Sequence, residues 1–455
     1  MSNFTPETFR PLLKRLVETP EYFTPSDLKT ALDHIFTPDA TLPAQVGAFL
    51  AALHIHRIER RPDSLAAAAE VLRSRAITAD VADADKDFVV DIVGTGGDGH
   101  NTFNVSTTAA IVAAGAGARV VKHGSRASTS SSGSADLLQS LGCLFTPPPT
   151  ALPNIPFTFI LAPHYHPALA LLAPTRKALP FRTMFNVLGP LINPARPQGM
   201  VLGVAEKELG MTFARSLRDG GVVRAMVVCG AEGLDEISCA GETYVWELKN
   251  GDIEEKRISP ASFGLEAHPL IKVAGGTPQE NSETFKALLT SGESIPEEVR
   301  PVLDFVLMNA SALLVVAGVT RDLQEGVELA RKSITSGRAW EALQKFREIG
   351  EASAQKMLYL CMVLGCYWYL WNAKLVFAFQ RERSPAKIYE RPQSGELHDP
   401  YRASVVKPKG MENTVPSVDR AGEVEAEMAA TSGTRRVMKS FASKLEMMEM
   451  IQRCL

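Results

Sequence analysis

Residues 88–124 read FVVDIVGTGGDGHNTFNVSTTAAIVAAGAGARVVKHG. A short β-branched run, Phe88 to Val93, enters a loop carrying four glycines in the six positions 94–99. A helix-forming run follows, and then a second apolar run that ends in Lys122-His123-Gly124. Strand, glycine loop, helix, strand is the grammar of a mostly parallel sheet covered by helices. The alternation continues in FTFILA, MVLGVA and RAMVVCG, and WELKNGDIEEKR, residues 246–257, adds a hairpin expected at Asn250-Gly251. The fold class is therefore α/β.

The glycine loop carries chemistry as well as geometry. Glycines let backbone amides approach an anion without side-chain obstruction. A helix that begins near Asn104-Val105-Ser106-Thr107 turns its free amides and positive dipole end toward the same anion. A tight strand-to-helix connection would account for glycines alone; Asp98, Asn104, Ser106 and Thr107 around the same turn favour a phosphate cradle. The spacing is neither G-x-G-x-x-G nor G-x-x-x-x-G-K-S/T, which argues against a dinucleotide fold and a P-loop ATPase.

Cations and hydroxyls follow the second strand: Lys122, Ser125 and Arg126, then Ser128, Thr129, Ser130, Ser131 and Ser132. Strand tips are where open α/β sheets place ligands. A serine run can be a flexible linker, but this one sits between a strand and the helical ADLLQSLG, where a linker is out of place. Asp235-Glu236, in GLDEIS beyond RAMVVCG, set two carboxylates at another strand tip. Magnesium takes one or two carboxylates and leaves its other positions to water and phosphate. An exposed acidic turn is the plainer reading of that pair alone, and the glycine loop shifts the balance to metal.

Composition removes other classes. The formal net charge is −3 and the pI about 6.3, so no long-range field gathers nucleic acid or an anionic membrane. The six cysteines are scattered and lack zinc-ligand spacing, which fits a reducing compartment, and a cytoplasmic location is expected. The N-terminal stretch reads as three or four short helices, one opening at Thr24-Pro25-Ser26-Asp27 with a capping box, others after Pro43 and Pro62. Beyond Lys356 the chain changes character. Residues 357–379 are a borderline membrane span or a stretch foreign to the native product, and 380–455 read as a mostly disordered tail closed by a helix.

GTGGDGHNTFNVST, KHGSRASTSSSGSADLLQSLG, APHYHPALALLAPTRKALPFRTMFNVLGPLINP and GLDEIS occur in this order. Together they resemble the anthranilate phosphoribosyltransferase family over residues 1–356. The resemblance implies a small helical domain, residues 1–84 with a returning segment at about 174–195, hinged to an α/β domain over 85–356. It implies a homodimer formed through the helical part. It also implies transfer of phosphoribosyl from phosphoribosyl pyrophosphate to anthranilate in tryptophan synthesis, with two Mg2+ ions and no organic cofactor or nucleic acid.

Carried over by position, Gly94, Gly97, Asp98, Thr102, Asn104, Val105, Ser106, Thr107, Lys122, Gly124, Arg126 and residues 128–132 would hold the donor. Ser106, Asp235 and Glu236 would bind the ions. Arg182 would meet the anthranilate carboxylate, with Gly94 and His123 on that side. One departure matters: the family commonly reads KHGNR, and Ser125 here replaces that acceptor-facing asparagine.

No general base is assigned, since an aromatic amine is neutral at physiological pH; His123 is the nearest candidate. His164-x-His166 reads as loop packing, and His54 and His56, two apart on a helix, cannot share a ligand. A pyrimidine nucleoside phosphorylase is the nearest rival within the fold, and a non-catalytic relative the rival from another class. Asp235-Glu236 and NTFNVST speak for the transferase.

Overall fold

Proline opens each of the first four helices: α1 (Pro6–Glu18), α2 (Pro25–Ile35), α3 (Pro43–Ile55) and α4 (Pro62–Arg75). That position suits it, because an amide there would have no partner within the helix. Thr5 and Thr24 close α1 and α2 with reciprocal capping boxes. Phe9, Leu28, Leu32, Phe49, Leu53, Leu65 and Leu72 then meet in one apolar cluster, which also takes in Leu172, Met184, Phe185, Leu188 and Leu191 from much later in the chain. The computed structural model describes residues 4–83, 86–127, 130–145, 147–148, 151–356 and 359. Ser128 and Thr129, and the segments expected at 357–379 and 380–455 apart from residue 359, lie outside the described residues.

The sheet has seven strands: β1 (Val89–Gly94), β2 (Arg119–Gly124), β3 (Phe157–Leu161), β4 (Gly199–Gly203), β5 (Arg224–Gly230), β6 (Thr243–Lys249) and β7 (Asp252–Ile258). Their order is β3-β2-β1-β4-β5-β6-β7, with β1 to β5 parallel and the β6–β7 hairpin antiparallel. Asn250 and Gly251 turn that hairpin at φ 55° and 85°, the left-handed pair that the sequence signalled.

Side chains alternate across the sheet at period two. Val90, Ile92, Val201, Met226 and Val228 point into one apolar cluster, while Met200, Leu202, Ala225 and Val227 point into the other, against the N-terminal helices. The first face is covered by α5 (Val105–Gly115) and α6 (Ser134–Ser140). Two helices, α7 (Ala162–Tyr165) and α8 (Pro167–Ala178), follow β3, and α9 (Gly210–Asp219) packs on the second face. Three more, α10 (Pro278–Thr290), α11 (Arg300–Ala317) and α12 (Leu323–Thr335), complete the first face, followed by a helical stretch over 338–356.

The α11 helix is the centre of that layer, and Phe305, Leu307, Leu313 and Leu314 are fully buried. Each such side chain contributes about 1.5–3 kcal/mol relative to exposure. Among the described residues one helix, Glu297–Ala317, is long and apolar enough to cross a membrane, and 78% of its most apolar window is buried inside the protein. Core packing accounts for its composition.

This topology positions a site. The chain leaves β1 toward β2 and β3 on one side, then returns to lay β4 and β5 on the other. Where the winding direction reverses, the loops at the carboxyl ends of β1 and β4 part and leave a crevice.

Candidate active site

Both strands at the switch end in glycine, and Gly94 pairs with Gly203. A methyl group on Gly203 would fall 1.6 Å from the Asp235 carbonyl oxygen, and one on Gly94 2.3 Å from Asp235 Oδ2. Only bare strand ends let the turn after β5 sit over both. Asp235 Oδ2 accepts the Gly96 amide at 2.5 Å, and Asp98 Oδ2 accepts the Asp235 amide at 3.5 Å. From beneath, Asn309 of α11 accepts the Ile237 amide and donates to the Ile237 carbonyl, both at 3.2 Å. The Asp235-Glu236 turn is thus gripped on both sides.

Three carboxyl groups, Asp98, Asp235 and Glu236, converge here with Ser106, whose hydroxyl bonds Glu236 in the first turn of α5. Burial, then the charge of Asp98, pushes Asp235 up to about 7. Burial, then Asp235, holds Glu236 well above the usual carboxylate range. Crowded acids in a cleft are poised for a cation.

Lys122 donates to the Ile92 carbonyl and is 1% exposed. Burial pushes its ammonium down, against the pull of Asp91, Glu236 and Asp235. Asp91, in β1 itself, is raised by burial to about 6, with Oδ2 accepting from Asn193 at 2.8 Å.

His123 and His166 bring their Nε2 atoms to 3.2 Å, edge to face. Burial pushes them down to about 3 and about 4, His123 further by the charge of His166, so both rings are neutral near pH 7.

The second wall is the serine loop. Asp136 accepts the amides of Ala127 at 2.8 Å and Gly133 at 3.0 Å and pairs with Arg126 at 3.2 Å. Asn104 donates to the Ser132 carbonyl at 2.8 Å, and Asn101 accepts the Ser131 amide at 3.0 Å. The Ser132 hydroxyl is buried, with no hydrogen-bond partner among the described residues.

Gly94, Gly97, Asp98, Thr102, Asn104, Val105, Ser106, Lys122, His123, Gly124, Ser125, Arg126, Ser130, Ser132, Asp235 and Glu236 line one cleft of about 230 Å³. Thr107 is placed otherwise: it is fully buried inside α5, its hydroxyl without a partner among the described residues. Ser131 meets the glycine loop through its amide. Arg182 lies against the far side of the glycine loop, donating to the Gly96 carbonyl at 2.8 Å and lining a neighbouring crevice with His54 and Glu59. His54 bonds Glu59 at 2.7 Å and stacks on Phe181.

Sequence reasoning missed Gly203, Asn193, Asn281 and Asn309. The terminal glycine of GMVLG was a readable signal, since it matches the glycine that ends β1. The three asparagines bond residues 72 to 177 positions away and carry no local signature.

Residues 86–340 match the family model described as the a/b domain of the glycosyl transferase family, and residues 10–76 match its helical bundle domain. A Schizosaccharomyces pombe anthranilate phosphoribosyltransferase is 44% identical over 353 residues, 76% of this chain and 99% of that protein. The chain belongs to the anthranilate phosphoribosyltransferase family. Solved anthranilate phosphoribosyltransferases share the fold. The Saccharomyces cerevisiae protein in complex with PRPP and Mg is 34% identical at a TM-score of 0.70, covering 77% of this chain and 99% of that one. The same protein with 4-fluoroanthranilate is 32% identical at a TM-score of 0.70, covering 77% and 100%.

Proposed function

We propose that this chain transfers the phosphoribosyl group of PRPP to the amine of anthranilate, releasing pyrophosphate, and that two Mg2+ ions assist. The observation that carries this reading is the convergence of Asp98, Asp235, Glu236 and Ser106 on the cleft between glycine and serine loops. The donor set fits magnesium. All the candidate ligands are hard oxygens, and they line the wall of an open cleft. Such an open set suits an ion that keeps waters and completes its shell with phosphate. The Schizosaccharomyces and Saccharomyces relatives carry the same name, and the latter has been solved with PRPP and Mg.

Bound magnesium would neutralise the pyrophosphate as it departs. The protein's own groups do the rest. Amides of 94–99 and the first turn of α5 hold phosphate oxygens where negative charge develops. Lys122, positioned by the Ile92 carbonyl and by the pull of Asp91, Glu236 and Asp235, adds a donor beneath them. The buried Ser132 hydroxyl supplies a donor that has no partner among the described residues.

In this reading Ser125 and His123 within the cleft, and Arg182 across the glycine loop from it, meet the acceptor. His123 is neutral near pH 7 and orients rather than accepts a proton, as suits an amine that is already a free base. Residues 1–84 with 174–195 form the helical domain in this reading, which closes on residues 85–356 to exclude water and also joins two copies into a dimer.

Calorimetric titration with PRPP tests the proposal. Binding to the full chain should require magnesium and should fall at least about tenfold in Asp235→Asn/Glu236→Gln, the loss of a charged contact. Equal binding with and without the ion would contradict it.

A further inference from the structure

Residues 273–281 strap down the segment 101–104 that follows the glycine loop, and Asn101 and Asn104 of that segment in turn hold the serine loop. The Phe103 amide donates to the Val273 carbonyl at 2.8 Å, and the Gly275 amide to the Asn101 carbonyl at 2.7 Å. Asn101 Nδ2 returns to the Gly275 carbonyl at 2.7 Å. The approach requires glycine, for a methyl group on Gly275 would lie 2.4 Å from the Thr102 carbonyl oxygen.

At the end of the strap stands Asn281, in the first turn of α10 and 3% exposed. Its Oδ1 accepts the Gly276 amide at 2.8 Å, so its other terminus must be the donor. That Nδ2 meets Asn104 Oδ1 at 2.8 Å, which leaves Asn104 Nδ2 to donate to the Ser132 carbonyl at 2.8 Å. The polarity of the whole chain, Gly276 to Asn281 to Asn104 to Ser132, is set at its outer end.

We propose that Asn281 is a positioning residue for the donor substrate: by fixing the amide orientation of Asn104 it seats the serine loop against the N-terminus of α5. Asn281 does not itself line the cleft and acts through Asn104, which does. This rests on the reading that the glycine and serine loops hold PRPP.

The substitution Asn281→Asp isolates the effect. A carboxylate still accepts the Gly276 amide, so α10 stays anchored, but it has no N–H for Asn104. Asn104 must then turn its amide over and aim oxygen at the Ser132 carbonyl, releasing the loop. Asn281→Leu removes the donor without adding a buried charge and serves where the aspartate variant unfolds. Neither variant alters a group facing the acceptor.

The experiment measures the PRPP dissociation constant with magnesium, together with kcat and both KM values, for the full chain, Asn281→Asp, Asn104→Ala and the double variant. The expected result is a PRPP constant raised about tenfold or more, with the anthranilate KM and the saturated kcat within about threefold of the parent. The double variant should bind PRPP no worse than Asn104→Ala alone, because the effect of Asn281 passes through Asn104. Additive losses in the double variant, or unchanged PRPP binding in Asn281→Asp and Asn281→Leu, would overturn the inference while leaving the transferase reading intact. A parent chain that binds no PRPP would overturn both.

Discussion

Single atoms decide this site. Gly203 carries no side chain because the Asp235 carbonyl occupies the space one would need, at 1.6 Å from a methyl position. Gly203→Ala should therefore displace the acidic turn. The expected outcome in steady-state assays is a fall in kcat/KM of about a hundredfold, with a stability loss of about 1–3 kcal/mol in denaturant titrations from overpacking. An active, equally stable variant would show that the turn is not held by the strand ends. At this scale the sequence was legible where chemistry is local. The glycine loop and Lys122 were marked by residue type and spacing, Asp235-Glu236 only in combination with that loop, and the cleft collects sixteen of the residues named in advance. Arg182 was legible by motif but not in placement, since its contact with the Gly96 carbonyl joins residues 86 apart.

Among the elements, α11 does two jobs. Its apolar faces fill the core, and Asn309, fully buried among them, grips the amide and carbonyl of Ile237. Asn309→Leu keeps the volume but strands both groups, at a cost of about 1–3 kcal/mol for each buried partner left unmet. Thermal unfolding should register that loss. Magnesium-dependent PRPP affinity should fall with it, because the adjacent Glu236 loses its footing; affinity unchanged in a destabilised protein would confine Asn309 to structure.

Helices were readable from proline and capping signals, and the buried parallel strands from short β-branched runs set between helical segments. The hairpin at Asn250-Gly251 was readable because only a few residues tolerate the left-handed turn. Strand order was not, since it depends on which loops reach across the sheet. Nor could the polar ties from α10 and α11 be read, because any buried asparagine in a helix looks alike until its partner is known.

For the whole molecule, buried titratable groups link fold and pH. His123 and His166 are held down at about 3 and about 4, below the ordinary histidine value near 6.5. Groups depressed in this way contribute stability above pH 6.5, and that contribution is lost as pH falls toward 4 and then 3, because unfolding lets them take up protons. Asp91, raised to about 6, acts in the opposite sense: its contribution is present below about 4 and is lost as pH rises through 6. A comparison with His166→Gln separates the two. Between pH 7 and 4.5 the parent's Tm should drop further than the variant's, whereas parallel curves would show that His166 titrates normally.

The central claim concerns phosphoribosyl transfer at the β1–β4 switch. The most direct measurement follows anthranilate fluorescence with PRPP, with and without magnesium, using the full chain and Asp235→Asn/Glu236→Gln. The account predicts magnesium-dependent loss of the anthranilate signal with stoichiometric pyrophosphate release, reduced at least about a hundredfold in the double variant. A folded parent chain that leaves anthranilate unconsumed, or a double variant that consumes it at the parent's rate, would contradict it.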